Sequence, residues 1–282
     1  MAFTHTIDPI AFAVGPLAVR WYGLSYLAGI GAAWWLLSLR ARALGGTSAS
    51  SAWVSDLVFY AAIGGVLGGR LGYILFYDLS AYLAQPWKVL AVWEGGMSFH
   101  GGAIGLTLAL LWLVRRSGHG LIALGDALVP VVPLALFFGR LGNFANGELW
   151  GAPTGLPWGV IFPHAGPEPR HPTQLYQAAL EGLLLFALLW WLSARPRPRG
   201  LLTGVFLVGY AIARSLVEIW RVPDAHIGYL LGGWLTMGQL LCVPMLVIGL
   251  LLMLRARGQP ALPSAGALLP HTVPGSRAGR GS

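Results

Sequence analysis

The chain has 282 residues, of which 56% are hydrophobic and only 10% charged, where soluble domains average about 25% charged. With a mean hydropathy of +0.67 this excludes an ordinary soluble domain and marks an integral membrane protein. The net charge of +8 sits on arginines dispersed between apolar runs, so it gives no basis for a nucleic-acid reading, which needs basic residues gathered on one face.

Residues 1–16 lack a basic segment followed by an apolar core, so no cleavable signal peptide is expected and the first span acts as its own insertion signal. Seven runs approach the ~20 residues a helix needs to cross hydrocarbon, at about 17–39, 54–77, 98–114, 121–142, 174–194, 201–220 and 235–254. Glycines recur three or four apart in the second run (Gly64, Gly65, Gly68, Gly69, Gly72) and the third (Gly101, Gly102, Gly105). Small residues at that spacing let helices approach closely, so they read first as a packing face, with a glycine-lined channel for a lipid as the alternative. Pro130 and Pro133 break the fourth run, which membranes tolerate where the break packs in protein or lines a cavity. Cys242, the one cysteine, falls in the seventh run, so no intramolecular disulfide can form and a packing role is expected. After residue 257 the chain is rich in Pro, Gly, Ala and Ser; a single membrane domain over 1–257 with a disordered cytoplasmic tail over 258–282 is expected.

Basic residues in short loops stay on the cytoplasmic side. Arg40 and Arg42, Arg115 and Arg116, Arg195, Arg197 and Arg199, and Arg255 and Arg257 follow alternate runs, so all fall on one face. The expected architecture is therefore all-α and polytopic, with about seven transmembrane helices, the N-terminus outside and the C-terminus cytoplasmic. Anionic lipid headgroups are the natural partners of those loops.

Arg70, His100, Arg140, Arg214, Glu218 and Arg221 lie inside or at the ends of the apolar runs. A charge at that depth costs roughly 2.5–3.5 kcal/mol on insertion scales, so such residues commonly face a polar site. The topology brings His100, Arg140, Asn143, Asn146, Glu148, Arg214, Glu218 and Arg221 to one level near the outer side. Arg214, Glu218 and Arg221 are spaced four and three apart, so on one helix face they can pair through Glu218. Two arginines to one glutamate, with Arg140 beside them, predict surplus guanidinium and hence an anionic guest, for which a phospholipid phosphate is the best match to arginine's planar fork. A self-neutralising ion-pair ladder is the structural alternative. His100, among glycines and titrating near neutrality, reads either as a general base or as a packing residue. His164, His171 and His226 lack ligand spacing, so no metal is expected, and no Gly-x-Ser-x-Gly elbow is present.

At these residues the chain resembles the bacterial phosphatidylglycerol:prolipoprotein diacylglyceryl transferases. The resemblance is carried by Val19-Arg20-Trp21-Tyr22-Gly23-Leu24, Gly69-Arg70-Leu71-Gly72-Tyr73, the Gly95 to Gly102 and Gly139 to Gly151 runs, Arg170-His171-Pro172-Thr173-Gln174-Leu175-Tyr176, and the Tyr210 to Asp224 stretch. It implies transfer of a diacylglyceryl group from phosphatidylglycerol to the lipobox cysteine of a preprolipoprotein, without a cofactor, on a multi-pass protein of the bacterial inner membrane whose site faces the outer leaflet. It also implies that Arg140 and Arg214 are the two key arginines, and that Tyr22, His100, Asn143, Glu148, Tyr210, Glu218 and Arg221 occupy other motif positions. Composition alone supports a second reading, a phospholipid-binding transporter or flippase in which the arginines only hold a headgroup.

Overall fold

Apolar runs that meet no water must satisfy their backbone groups internally, and helices do so within one segment. The computed structural model describes residues 3–15, 17–91, 96–222, 230 and 235–269, and these fold mainly as helices. A short strand β1 (Phe3–Thr4) and a hairpin of β2 (Ile10–Val14) and β3 (Leu17–Arg20) precede α1 (Trp21–Ala43). Then come α2 (Ser48–Tyr77), α3 (Leu79–Ala84), α4 (Phe99–Ser117), α5 (Leu121–Leu128) and α6 (Val132–Ala145). Strands β4 (Val160–Ile161) and β5 (Pro169–Arg170) lead into α7 (Thr173–Ser193), whose centre, Ala178–Leu184, is π-helical. Strand β6 (Arg197–Pro198), α8 (Leu201–Val217) with a 3-10 turn at Glu218–Trp220, α9 (Met237–Ala256) and β7 (Ala261–Leu262) complete the order.

Five helices are long and apolar enough to cross a membrane: α1, α2, α7, α8 with its 3-10 turn, and α9; α5 and α6 make a sixth span if taken as one. That pair is bent by 56° where Pro130 and Pro133 fall, because proline cannot donate to the helix and clashes with the preceding turn. The third expected run, 98–114, is the helix α4, 19 residues long, which ends in Arg115 and Arg116 and stays outside that apolar set. The protein is thus an all-α polytopic membrane protein.

The described residues form two compact units, one within 1–37 and 125–264, the other within 38–124 and 265–282. In the second, α2 and α4 meet through glycine. A Cβ added at Gly64, Gly68 or Gly72 would strike Gly101, Gly105 or Ala109, so the opposing helix fills this face and leaves no lipid channel there. Arg70 in this unit is a loop clamp: it donates to the carbonyls of Val89 (3.0 Å), Ala91 (3.0 Å), Gly96 (3.2 Å) and Lys88, and lies over the Tyr82 ring. Ser98 caps α4 by accepting from the Gly101 amide, 3.2 Å away. Trp53 donates its indole N–H to the Ala267 carbonyl at 3.0 Å.

In the first unit, Val129, Leu185, Leu189 and Leu202 form a buried cluster where α7 and α8 pack. The Asp126 carboxylate accepts from the Gly200 amide (2.5 Å), the Thr203 amide (2.9 Å) and the Thr203 hydroxyl (2.8 Å), and so caps the positive end of α8. Cys242 is buried in α9. Strand β7 pairs with β6, and a 3-10 turn follows at Ser264–Leu268. The stretch from 258 that composition marks as disordered therefore starts with regular structure; residues 270–282 lie outside the described residues.

Candidate functional site

The polar residues of the first unit converge from α1, α6, α7, α8 and the loop after α6. Arg140 and Asn143 are three apart on α6 and so share a face; Arg140 Nη1 donates to Asn143 Oδ1 at 3.4 Å. Asn143 Nδ2 in turn donates to Glu148 Oε1 at 2.7 Å. The turn that brings Glu148 back to α6 uses left-handed backbone at Gly147 (φ 66°) and at Leu149 (φ 59°), the one described non-glycine residue with positive φ. That conformation costs an L-residue about 1–2 kcal/mol. It is held by Thr173 Oγ1 donating to the Leu149 carbonyl (2.8 Å) and Gln174 Nε2 to the Glu148 carbonyl (2.5 Å), both from the first turn of α7. Tyr22 reaches the same turn of α6 because Gly142 has no side chain: a Cβ there would lie 3.1 Å from Tyr22 Cδ2 and from Ser25 Cβ. The Tyr22 and Tyr26 hydroxyls are hydrogen-bonded at 3.0 Å.

Glu181 is the centre of the site. It projects from the π-helical part of α7, is 0% exposed, and its Oε2 lies 3.5 Å from Arg140 Nη2. The Arg214 guanidinium and the Tyr210 side chain, one turn apart on α8, also interact with it electrostatically. Arg214 Nη1 also binds Glu218 Oε2 at 2.6 Å across one helical turn, as the four-residue spacing predicts. Glu218 abuts the first turn of α9 at Gly238, where a Cβ would fall 3.0 Å from its carboxyl carbon and 3.1 Å from Arg214 Nη2. The positive end of α9 thus faces an anion, and Thr236 caps that end by accepting from the Gln239 amide.

Arg221 does not share the helix face of Arg214 and Glu218. The helix tightens to 3-10 at Glu218 and ends at Trp220, so Arg221 is extended (φ −84°, ψ 146°) and its backbone bridges Gly151. There Gly151 donates to the His171 carbonyl and Ala152 to that of Trp220, both at 2.8 Å, while Arg170 stacks on Trp150. A Cβ on Gly151 would press on His171 and Thr173, each 2.8 Å away, which requires glycine at this crossing of three chain segments. His171 here accepts or donates at Nδ1 to the Tyr176 hydroxyl, 3.1 Å away, and burial lowers its pKa.

Among the described residues, Arg140 and Arg214 each have a carboxylate partner, Glu181 and Glu218. Arg140, Arg214 and Arg221 are matched in number by Glu148, Glu181 and Glu218, because α7 contributes a carboxylate that spacing along α8 alone does not reveal. Exposure distinguishes the two signs: the Arg140 and Arg214 side chains are 18% and 12% exposed, their Glu181 and Glu218 partners 0% and 5%. The guanidiniums are thus the more accessible members of these pairs, and each has five donors, more than its carboxylate uses. His100 belongs to the first turn of α4 in the other unit, and its side chain lies outside the described residues. No group of metal-binding side chains occurs among the described residues.

Glu181, Gln174, Gln177 and Gly238 are the site residues that the sequence reading passes over. A signal exists for three of them: Gln174, Gln177 and Glu181 interrupt an otherwise apolar run at intervals of three and four.

The family described as prolipoprotein diacylglyceryl transferase matches residues 9–255. Among curated proteins, the chain is 53% identical over 263 residues to the phosphatidylglycerol–prolipoprotein diacylglyceryl transferase of Nitratidesulfovibrio vulgaris (strain DSM 19637 / Miyazaki F), covering 92% of this chain and 97% of that protein. It is 53% identical over 260 residues to the protein of the same description from Pseudomonas aeruginosa (strain UCBPP-PA14), with 92% and 97% covered. It is 54% identical over 246 residues to that of Ectopseudomonas mendocina (strain ymp), with 86% and 92% covered.

Proposed function

The chain belongs to the prolipoprotein diacylglyceryl transferase family, and from that premise we propose that it transfers the diacylglyceryl group of phosphatidylglycerol to the lipobox cysteine thiol of preprolipoproteins, the first step of lipoprotein maturation. The thiolate attacks the glyceryl CH2 carbon that bears the phosphate ester. A C–S bond forms, the C–O bond breaks, and the electron pair leaves with glycerol phosphate, whose phosphate gains a second negative charge. The thiol proton passes to a base.

The observation that carries this reading is the pair of partly exposed guanidiniums, Arg140 paired with the fully buried Glu181 and Arg214 paired with Glu218, both close enough to act on Glu181 electrostatically. Fixed donors beside the phosphate stabilise the charge that develops as the ester bond breaks, and they act most strongly where water is scarce. Asn143, held by Glu148, orients Arg140; Glu218 and the α9 terminus orient Arg214; Tyr22 and Tyr210 line the same group. Arg221 ties the end of α8 to the loop after α6 through its backbone bridge to Gly151. His100 serves as the base that raises the thiolate fraction, since a free thiol has a pKa near 8.5. The protein is an inner-membrane protein with its N-terminus outside, and both substrates reach the site from the outer leaflet.

Incubating the purified protein with phosphatidylglycerol and a synthetic lipobox peptide tests the reading. A mass gain of one diacylglyceryl group on the cysteine, with release of glycerol phosphate, is the expected outcome. A preparation that binds phosphatidylglycerol yet leaves the peptide unmodified would sustain the transporter or flippase reading instead.

A further inference from the structure

The arginine–carboxylate row leaves a set of buried polar atoms unused. Gln174, Gln177 and Glu181 succeed one another along α7, in a segment long enough to cross a membrane, and are 0%, 1% and 0% exposed. Among the described residues, the Gln174 amide oxygen and both polar atoms of the Gln177 amide are buried without a well-formed hydrogen bond, and the Glu181 carboxylate is met by Arg140 at 3.5 Å and loosely by the Gln177 side chain. Buried amides without partners are costly, and most costly in hydrocarbon, where water cannot serve each group in turn. Packing alone would favour leucine at position 177, in a run where Leu180, Leu183, Leu184 and Leu185 surround it in sequence. The backbone also widens into a π-helix between Gln177 and Glu181, a distortion that recurs at functional sites.

We propose that the row Gln174–Gln177–Glu181 receives the headgroup alcohol of the phospholipid, and that Gln177 is a specificity-determining residue that reads its hydroxyls. This rests on the function proposed above. The phosphate lies on Arg140 and Arg214, both of which interact with Glu181, so the glycerol esterified to it reaches α7 at the row. A vicinal diol both donates and accepts; the row offers it the Gln177 amide N–H2 group and the buried oxygens of Gln174, Gln177 and Glu181, none of them in a well-formed hydrogen bond, which suits it. A neutral alcohol also avoids a conflict that an ammonium headgroup meets, because the one carboxylate of the row, Glu181, is already paired with Arg140 and feels the charge of Arg214. A site built to bind a hydroxyl rejects the analogue that lacks it far more strongly than an apolar pocket rejects a methylene.

The experiment compares phosphatidylglycerol with a phosphatidyl-1-propanol of the same acyl chains, as donors to a lipobox peptide in mixed micelles, for the native protein and Gln177→Leu. The native protein should favour phosphatidylglycerol in kcat/KM by roughly tenfold or more, and Gln177→Leu should bring that ratio close to one. An unchanged ratio in a variant that melts normally would overturn the proposal, as would a native protein indifferent to the two lipids. If Gln177→Leu turns over neither lipid, displacement of a fluorescent phosphatidylglycerol by each lipid decides: lost discrimination supports the proposal, retained discrimination overturns it. A native protein that forms no thioether overturns the proposed activity, and the displacement comparison then judges the headgroup reading by itself.

Discussion

Arg140 is held on two sides, by the Asn143 amide oxygen at 3.4 Å and the Glu181 carboxylate at 3.5 Å, and both contacts use the planar spread of its guanidinium. An ammonium has one centre and cannot meet both while also binding a phosphate. Arg140→Lys should therefore lower kcat/KM by about 10²-fold or more, the size seen when one donor to a developing oxyanion is lost, with the melting temperature nearly unchanged. Full activity in the lysine variant would reduce the site to generic positive charge. Glu181→Ala should act on stability first, since it leaves the Arg140 guanidinium without its carboxylate partner; a cost of order 3 kcal/mol is expected for one member of a buried pair, read as a drop in melting temperature in detergent. His171 supplies a pH test. Burial lowers its folded pKa below the value of about 6.5 it has when unfolded, so the unfolded chain binds the proton first. Stability from neutral His171 is complete above about pH 6.5 and is lost as pH falls from there through the lowered value; His171→Gln should flatten that part of the melting profile. The arginines were legible in sequence because a charge in an apolar run is conspicuous by itself. Glu181 stands in an apolar run in the same way, but its meaning depends on Arg140 and Arg214 arriving from two other helices, and spacing along one helix cannot report that.

At the scale of elements, glycine spacing was the most readable feature and the loop knots the least. The repeat Gly64, Gly68, Gly72 encodes a close helix crossing directly, because a glycine every four residues clears one face for a partner backbone. Gly105→Leu should break this crossing, since even a methyl there collides with the α2 backbone; loss of folded protein in detergent is the expected result, and normal yield and melting would contradict the packing role. Gly238 makes the opposite kind of test. Alanine in the first turn of α9 improves helix propensity by up to about 1 kcal/mol, yet its methyl would press on Glu218 and on Arg214 at 3.0–3.1 Å. Gly238→Ala should keep or raise the melting temperature while lowering kcat/KM several-fold, and unchanged turnover would show that the α9 terminus does not position Arg214. The turn at Glu148 and Leu149 had no such signature. Its left-handed leucine is held by Thr173, 24 residues away, and the preceding Glu148 carbonyl by Gln174, 26 residues away, and bonds of that range leave no local mark in the sequence.

At the scale of the molecule, the membrane class followed from composition alone, whereas the end of the fold did not. A hydropathy window treats 98–114 like its neighbours, but α4 carries glycines that pack on α2 and ends in Arg115 and Arg116, so it falls outside the set of helices apolar enough to span. The C-terminal segment is misread for a related reason: Pro, Gly and Ala are common in disordered chain, yet two residues suffice to pair as β7 with Arg197–Pro198, and Leu268 becomes fully buried beside the Trp53–Ala267 hydrogen bond. These contacts divide the tail into two parts that truncation can tell apart. A chain ending at Leu269 keeps all of them and should match the full-length protein in melting temperature and turnover. A chain ending at Arg257 loses the β6–β7 pair, the partner of the Trp53 indole and the burial of Leu268, the last alone worth about 1.5–3 kcal/mol. It should therefore melt several degrees lower while its remaining folded fraction turns over substrate at the normal rate, because every residue of the proposed site lies before residue 240. Equal stability of the two truncations would mean that residues 258–269 only rest against the protein, and a fall in the turnover of the folded fraction would mean that the segment reaches the site.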